Sequence, residues 1–301
     1  MKLIKCSQEI LDASFDPGYL RQERPRPPIT VAISKEEFDS KYYKIESGIL
    51  LIISNTEFHV HDANLGDHAG SHIDAYCIAQ RFSGLGFECE LKTNLSKSDT
   101  MDWFERAKSR LFIKAVDCFV LVILSHGTDN GVYATDQLIR NEDIIEAFNA
   151  THCPPLRFKP KILITQSCRG THLSGGINVG VFDPNQDDDS RYPSEYHEWI
   201  GIPITKTICL PNEADFLFVY AAVSGSAAFR NAAECTPFIR HLSKAIEDME
   251  VNEDFYEVLN TVHTAMGVTY NRYGEVEYNN QAQMPCFVSY LTKLLRLKQA
   301  T

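Results

Sequence analysis

Six short runs of this chain are apolar throughout or alternate with a period of two, and five longer stretches are apolar at steps of three and four. Residues 48–53, 118–124 and 162–166 are nearly continuous apolar runs, the pattern of strands buried on both faces of a sheet. Residues 87–91 alternate, and 214–220 and 286–291 also read as strands. Between them, Ile73, Tyr76, Cys77 and Phe82 mark one helix, closed by Gly84 and Gly86. Further helices are predicted near 98–114, 142–148, 237–249 and 254–270. Strands alternating with helices imply an α/β fold, with a mostly parallel sheet covered on both faces. Two segments lack any period. Residues 1–43 carry Pro25, Pro27 and Pro28, which forbid helix there and predict an extended arm. Residues 171–207, rich in Gly and Asp, form a loop long enough to be functional or disordered.

Composition narrows the class. A hydrophobic fraction of 44% and a charged fraction of 23% suit a soluble globular protein of 301 residues. The formal net charge of -11 argues against a nucleic-acid partner. No run approaches the roughly 18 apolar residues of a membrane helix, and acidic residues come too early for a signal peptide. The nine cysteines have no regular spacing. Several, including Cys77, Cys118 and Cys286, sit in apolar runs as reduced thiols would, which points to a reducing compartment and a cytoplasmic location.

Two strands end in reactive side chains. The 118–124 run leads into Ser125-His126-Gly127, and the 162–166 run into Gln166-Ser167-Cys168-Arg169-Gly170. An imidazole beside a thiol can take its proton and later return one to a leaving amine. The N–H groups of Gly127 and Cys168 are candidates for an oxyanion hole. A lone Cys at a strand end is more often a packing residue, so the joint pattern is what carries weight. His59, His61, His68 and His72 are close enough in sequence to suggest zinc. Such histidines are more often surface or loop residues, and neither a metal nor a cofactor is expected.

With these motifs the chain resembles the caspases, which carry a Gln-Ala-Cys-x-Gly pentapeptide and an upstream Ser-His-Gly. The likeness runs from about Tyr42 to Leu295. It includes Lys159-Pro160-Lys161, Glu213-Ala214-Asp215-Phe216-Leu217, Phe229-Arg230-Asn231 and Gln283-Met284-Pro285-Cys286. The resemblance implies a three-layer sandwich around a six-stranded, mostly parallel sheet. It divides the chain into a short arm (1–43), a large subunit (44–189), a linker (190–206) and a small subunit (207–301). It also implies a zymogen, protein substrates, and a homodimer or heterodimer joined through the strand at 286–291. Inhibitor-of-apoptosis proteins are a further partner class that it suggests. Asp189-Ser190 is the preferred maturation site, since Asp183 precedes Pro184 and Asp187 and Asp188 each precede another Asp.

The departures matter as much. Caspases bind the substrate Asp with two Arg and one Gln. Gln166 and Arg230 match two of these positions, and His68, in the segment His68-Ala69-Gly70-Ser71-His72-Ile73-Asp74, stands where the other Arg belongs. A neutral, unforked imidazole predicts weakened cleavage after Asp. In the loop Ser224-Gly225-Ser226-Ala227-Ala228-Phe229-Arg230, Phe229 keeps one apolar wall of the neighbouring pocket and Ala227 removes another. Two readings stand together. One is a working cysteine endopeptidase with altered preference, and the other is a decoy that pairs with and regulates a sibling caspase.

Overall fold

A computed structural model of the chain describes residues 35–60, 65, 66, 68, 70–170, 174–175, 211–230, 233–267 and 281–298. The prolines of the arm, His61, Asp189, Ser190, Trp199, the 190–206 linker and the start of the small subunit at 207 lie outside these residues. In chain order the elements are α1 (Lys35–Asp39), β1 (Gly48–Ser54), α2 (Ser71–Gly84), β2 (Phe87–Thr93), α3 (Lys97–Ile113) and β3 (Cys118–Leu124). A small hairpin sheet follows, β4 (Gly127–Thr128), β5 (Gly131–Tyr133) and β6 (Leu138–Arg140), then α4 (Asn141–Phe148) and β7 (Lys161–Gln166). The remainder is β8 (Ser174–Gly175), β9 (Phe216–Tyr220), α5 (Pro237–Asp248), α6 (Phe255–Gly267), β10 (Gln281–Ala282) and β11 (Cys286–Ser289).

The central sheet has the order β11-β9-β7-β3-β1-β2. All its pairs are parallel except β11 with β9. Every residue of β1, β3 and β7 is buried, including the polar Ser54, Lys161, Thr165 and Gln166 at the ends of their apolar runs. Alternate side chains feed two cores. Leu50, Val120, Ile162 and Leu217 pack with α2, α5 and α6 on one face. Ile49, Leu121, Leu163 and Phe216 pack with α3 and α4 on the other. The three-layer sandwich is therefore built as the pattern implies. The helix starting at Lys97 is capped by Ser96, whose Oγ accepts from Asp99 N at 3.0 Å.

Three expectations are revised. The last strand is four residues long, not six, although Tyr290 still pairs with Phe216 through its N–H at 2.8 Å. The chain enters the fold ahead of residue 44. Tyr43 N donates to Leu294 O at 3.1 Å, and its hydroxyl donates to Asp215 at 2.6 Å. Cys77 is not a free apolar thiol: it forms a disulfide with Cys235, which ties α2 to the segment that starts α5.

Candidate active site

Register places the two reactive residues side by side. β3 and β7 are parallel neighbours with Leu124 opposite Gln166, so Ser125–His126 and Ser167–Cys168 leave the sheet together. Ser125 N donates to Gln166 O at 3.2 Å just beyond the strands. Gly127 then passes so close to the other chain that a Cβ there would stand 2.5 Å from Ser167 Oγ and 3.0 Å from Cys168 O. Only glycine admits this approach.

His126 is held on four sides. Its Nε2 is 2.8 Å from Gly66 O. Because a carbonyl can only accept, Nε2 carries the proton. Arg230 Nη2 lies 3.2 Å from Nδ1 and can only donate, so Nδ1 presents its lone pair. Phe58 and His68 meet the ring edge-on, at centroid distances of 4.7 and 5.2 Å. Burial lowers the His126 pKa below the ordinary histidine value, Arg230 adds to that, and the Gly66 carbonyl opposes both. The ring contacts and the direction of this shift both favour the neutral imidazole.

The Cys168 thiol is half-buried beneath the 224–230 loop. Ala228 N lies 3.4 Å from Sγ, and Ala228 O lies 3.8 Å from it. The loop is tied down on both sides of this contact. Phe229 N donates to Gln283 at 2.7 Å, and Phe229 O accepts from Gln166 Nε2 at 3.2 Å. Phe229 thus engages through its backbone, and Ala227 beside it is partly exposed. Arg230 also donates to Ser125 O at 3.2 Å. Burial draws its pKa down to about 10, against the opposing pull of Cys168 and Asp74. Gln166 Oε1 is buried and has no partner among the described residues.

His68 is 1% exposed. Its Nδ1 is in hydrogen-bond contact with Ser71 Oγ, and its Nε2 is buried without a hydrogen-bond partner among the described residues. Burial first, then Arg230 and His126, push its pKa down to about 3, so it is neutral at physiological pH. Its neighbour in the motif, Asp74, accepts from Thr236 N at 2.7 Å. Of the candidate zinc histidines, His61 lies outside the described residues. His72 is exposed on α2, and among the described residues no three His, Cys, Asp or Glu side chains are arranged to hold a metal ion.

A model described as "Caspase domain" matches residues 47–296. The chain belongs to the caspase family. It is 28% identical to rabbit (Oryctolagus cuniculus) caspase-3 over 274 residues, 88% of this chain and 92% of that one. It is 30% identical to Xenopus laevis caspase-3 over 249 residues, 82% of this chain and 79% of that one. The crystal structure of caspase-1 from Spodoptera frugiperda superposes with a TM-score of 0.73 at 22% identity, covering 92% of this chain and 98% of that one, a likeness of fold. Family membership implies caspase-like protease function in apoptosis, protein substrates and dimerisation. Among the described residues no helix is long and apolar enough to cross a membrane.

Sequence reasoning missed several contributors to this caspase site. Gly66 offers only a backbone carbonyl, which no side-chain motif reveals. Gln283 was legible only as part of a motif. It is 3% exposed and bridges Phe229 N and Ala221 O. The β4–β6 hairpin, three short strands without an apolar run, left no periodic signal.

Proposed function

We propose that this caspase is a cysteine endopeptidase made as a zymogen, with impaired preference for Asp before the scissile bond. Cys168 is the nucleophile and His126 the acid–base. The N–H groups of Gly127 and Cys168 hold the oxyanion, and Gln166, Arg230 and His68 line the pocket for the residue before the cut. The single observation that carries the reading is His68, fully buried and neutral where the family pattern has Arg. With it neutral, Arg230 is the sole cation among these three pocket residues. Losing one hydrogen bond to a charged group costs about 1.5–3 kcal/mol, roughly 10- to 150-fold in rate.

The geometry supports a defined sequence of events. In the closed arrangement Arg230 occupies Nδ1 of His126, and Ala228 covers the thiol. A substrate carboxylate draws Arg230 off Nδ1 and displaces residues 227–229. The freed lone pair takes the Cys168 proton, and the thiolate attacks the scissile carbonyl. His126 then protonates the departing amine, and water cleaves the thioester. Maturation is assigned to Asp189-Ser190, with a sibling caspase as the cutting enzyme. Intact chain carrying Asp189→Ala that is still cut at the same bond would contradict this.

The test is kinetics of the matured chain on an Asp-reporter peptide. Wild type turns over slowly, and His68→Arg gains roughly 10- to 150-fold. A wild-type rate equal to that of an ordinary executioner caspase, or no gain in His68→Arg, overturns the reading. A second reading, a decoy that heterodimerises with and regulates a sibling caspase, is favoured by the sheet edge. β11 is the terminal strand, with Val288 and Tyr290 exposed. A peptide-based thiol reagent that fails to label Cys168, in a chain that activates a sibling caspase on mixing, selects the decoy.

A further inference from the structure

Asp129 stands in the tight turn between β4 and β5, three residues after His126, and its carboxylate reaches two other loops. One oxygen, Oδ1, pairs with Arg169 Nε at 3.2 Å, on the residue that follows Cys168. The other, Oδ2, accepts from Ser224 Oγ at 2.8 Å and Gly225 N at 3.0 Å, at the start of the loop that covers the thiol. We propose that Asp129 is a positioning residue for the reaction, bracing the three segments that carry His126, Cys168 and the substrate-facing residues 227–230.

The partners are themselves fixed, which is what makes the carboxylate a brace. The Arg169 guanidinium lies 4.2 Å over the Tyr220 ring, and its Nη1 is 3.5 Å from Cys286 Sγ. The Arg169 backbone pairs with the loop in both directions: its N–H donates to Ser226 O at 2.8 Å, and its carbonyl accepts from Gly225 N at 3.0 Å. Gly225 has φ +79, a left-handed conformation that suits glycine. Asn141 Nδ2 donates to Asp129 O at 2.9 Å and anchors the turn to the start of α4. Residues 224–226 are therefore pinned, and opening the site becomes a swing of 227–230 about that point. Without the carboxylate, the Arg169 charge loses its ion-pair partner and the pivot loosens. One carboxylate oxygen takes two hydrogen bonds and the other faces a guanidinium as an ion pair, so a single side chain ties three segments together.

This inference rests on the endopeptidase reading for its kinetic arm, while its labelling arm stands alone. The experiment uses the full chain carrying Asp129→Ala, Asp129→Asn or Asp129→Glu. It measures alkylation of Cys168 by iodoacetamide, located by peptide mass spectrometry, then kcat and KM of the matured proteins, with thermal midpoints alongside. Loosening the loop uncovers the thiol but misplaces the substrate. Asp129→Ala is therefore expected to be alkylated about tenfold faster while its kcat falls about tenfold, the size of one lost hydrogen bond to a charged group. Asp129→Asn follows in the same direction, and Asp129→Glu recovers part of both. A merely structural role lowers the midpoint and moves neither rate in this opposed way. Unchanged alkylation in both Asp129→Ala and Asp129→Asn overturns the brace. If wild type turns over no peptide, the endopeptidase reading fails, and the alkylation rates still decide the role of Asp129.

Discussion

Arg230 Nη2 donates to His126 Nδ1 across 3.2 Å. The side chain proposed to receive the substrate carboxylate thus sits on the nitrogen proposed to receive the thiol proton. In this arrangement the base is occupied whenever the pocket is empty, and pocket filling and base release become one event.

The first prediction concerns that contact. Long-range nitrogen NMR on the wild-type chain should find His126 as the Nε2–H tautomer, with Nδ1 unprotonated. Arg230→Met should then raise the His126 pKa toward the ordinary histidine value, because one of the two influences lowering it is gone. Burial, the larger influence, remains, so the rise is partial. No change, or a fall, would show that Arg230 does not reach the ring in solution.

Gly127→Ala tests the close passage of the two strand exits. The new Cβ would meet Ser167 Oγ at 2.5 Å and Ser167 Cβ at 2.8 Å, and one of the contacts is backbone. Overpacking of this kind costs about 1–3 kcal/mol. Denaturant unfolding should show that loss, together with slower labelling of Cys168 by a substrate-like thiol reagent. A variant with wild-type stability and labelling would mean the exits are not pressed together.

Much of the fold was legible because β1, β3 and β7 are buried on both faces and so keep apolar runs at their centres, with polar residues only at the ends, Ser54 in β1 and Lys161, Thr165 and Gln166 in β7. Their carboxyl ends followed directly, and with them Cys168 and His126. What escaped the sequence lacks a periodic or chemical signature. Asp129 looks like any turn aspartate until the chain folds Arg169 and Ser224 onto it. Cys235 lies 158 residues from Cys77, and no spacing rule pairs them. The identity of His68 was readable as a missing charge. That it packs against His126 depends on where Gly66 and Ser71 bring the chain.

The Cys77–Cys235 bond gives a third prediction. It closes a long loop, and chain-entropy arguments allow at most about 5 kcal/mol for one of this length. Peptide mapping without reductant should recover the 77–235 cross-link, and Cys77→Ala should lower the unfolding free energy by a few kcal/mol. Full alkylation of both thiols in the native protein without reductant would sink this assignment.

Asp74 gives the fourth, with the sign set by burial. The carboxyl is fully buried, one oxygen accepting from Thr236 N and the other without a hydrogen-bond partner among the described residues. Burial raises its pKa from 3.8 to about 6, and Thr236 and then Arg230 only partly oppose this. A folded pKa above the unfolded one means that the folded chain holds the proton more tightly. The associated stability is present below about pH 4 and is lost as pH rises through 6. Two pKa steps correspond to about 3 kcal/mol, before any relaxation of the site. Asp74→Asn keeps an oxygen for the Thr236 N–H and has no charge to bury. Urea unfolding at pH 4, 6 and 8 should show the variant level with wild type at pH 4 and more stable by about 2–3 kcal/mol at pH 8. A difference that does not grow with pH would place the charge of Asp74 in a better-solvated or better-paired setting than the one described.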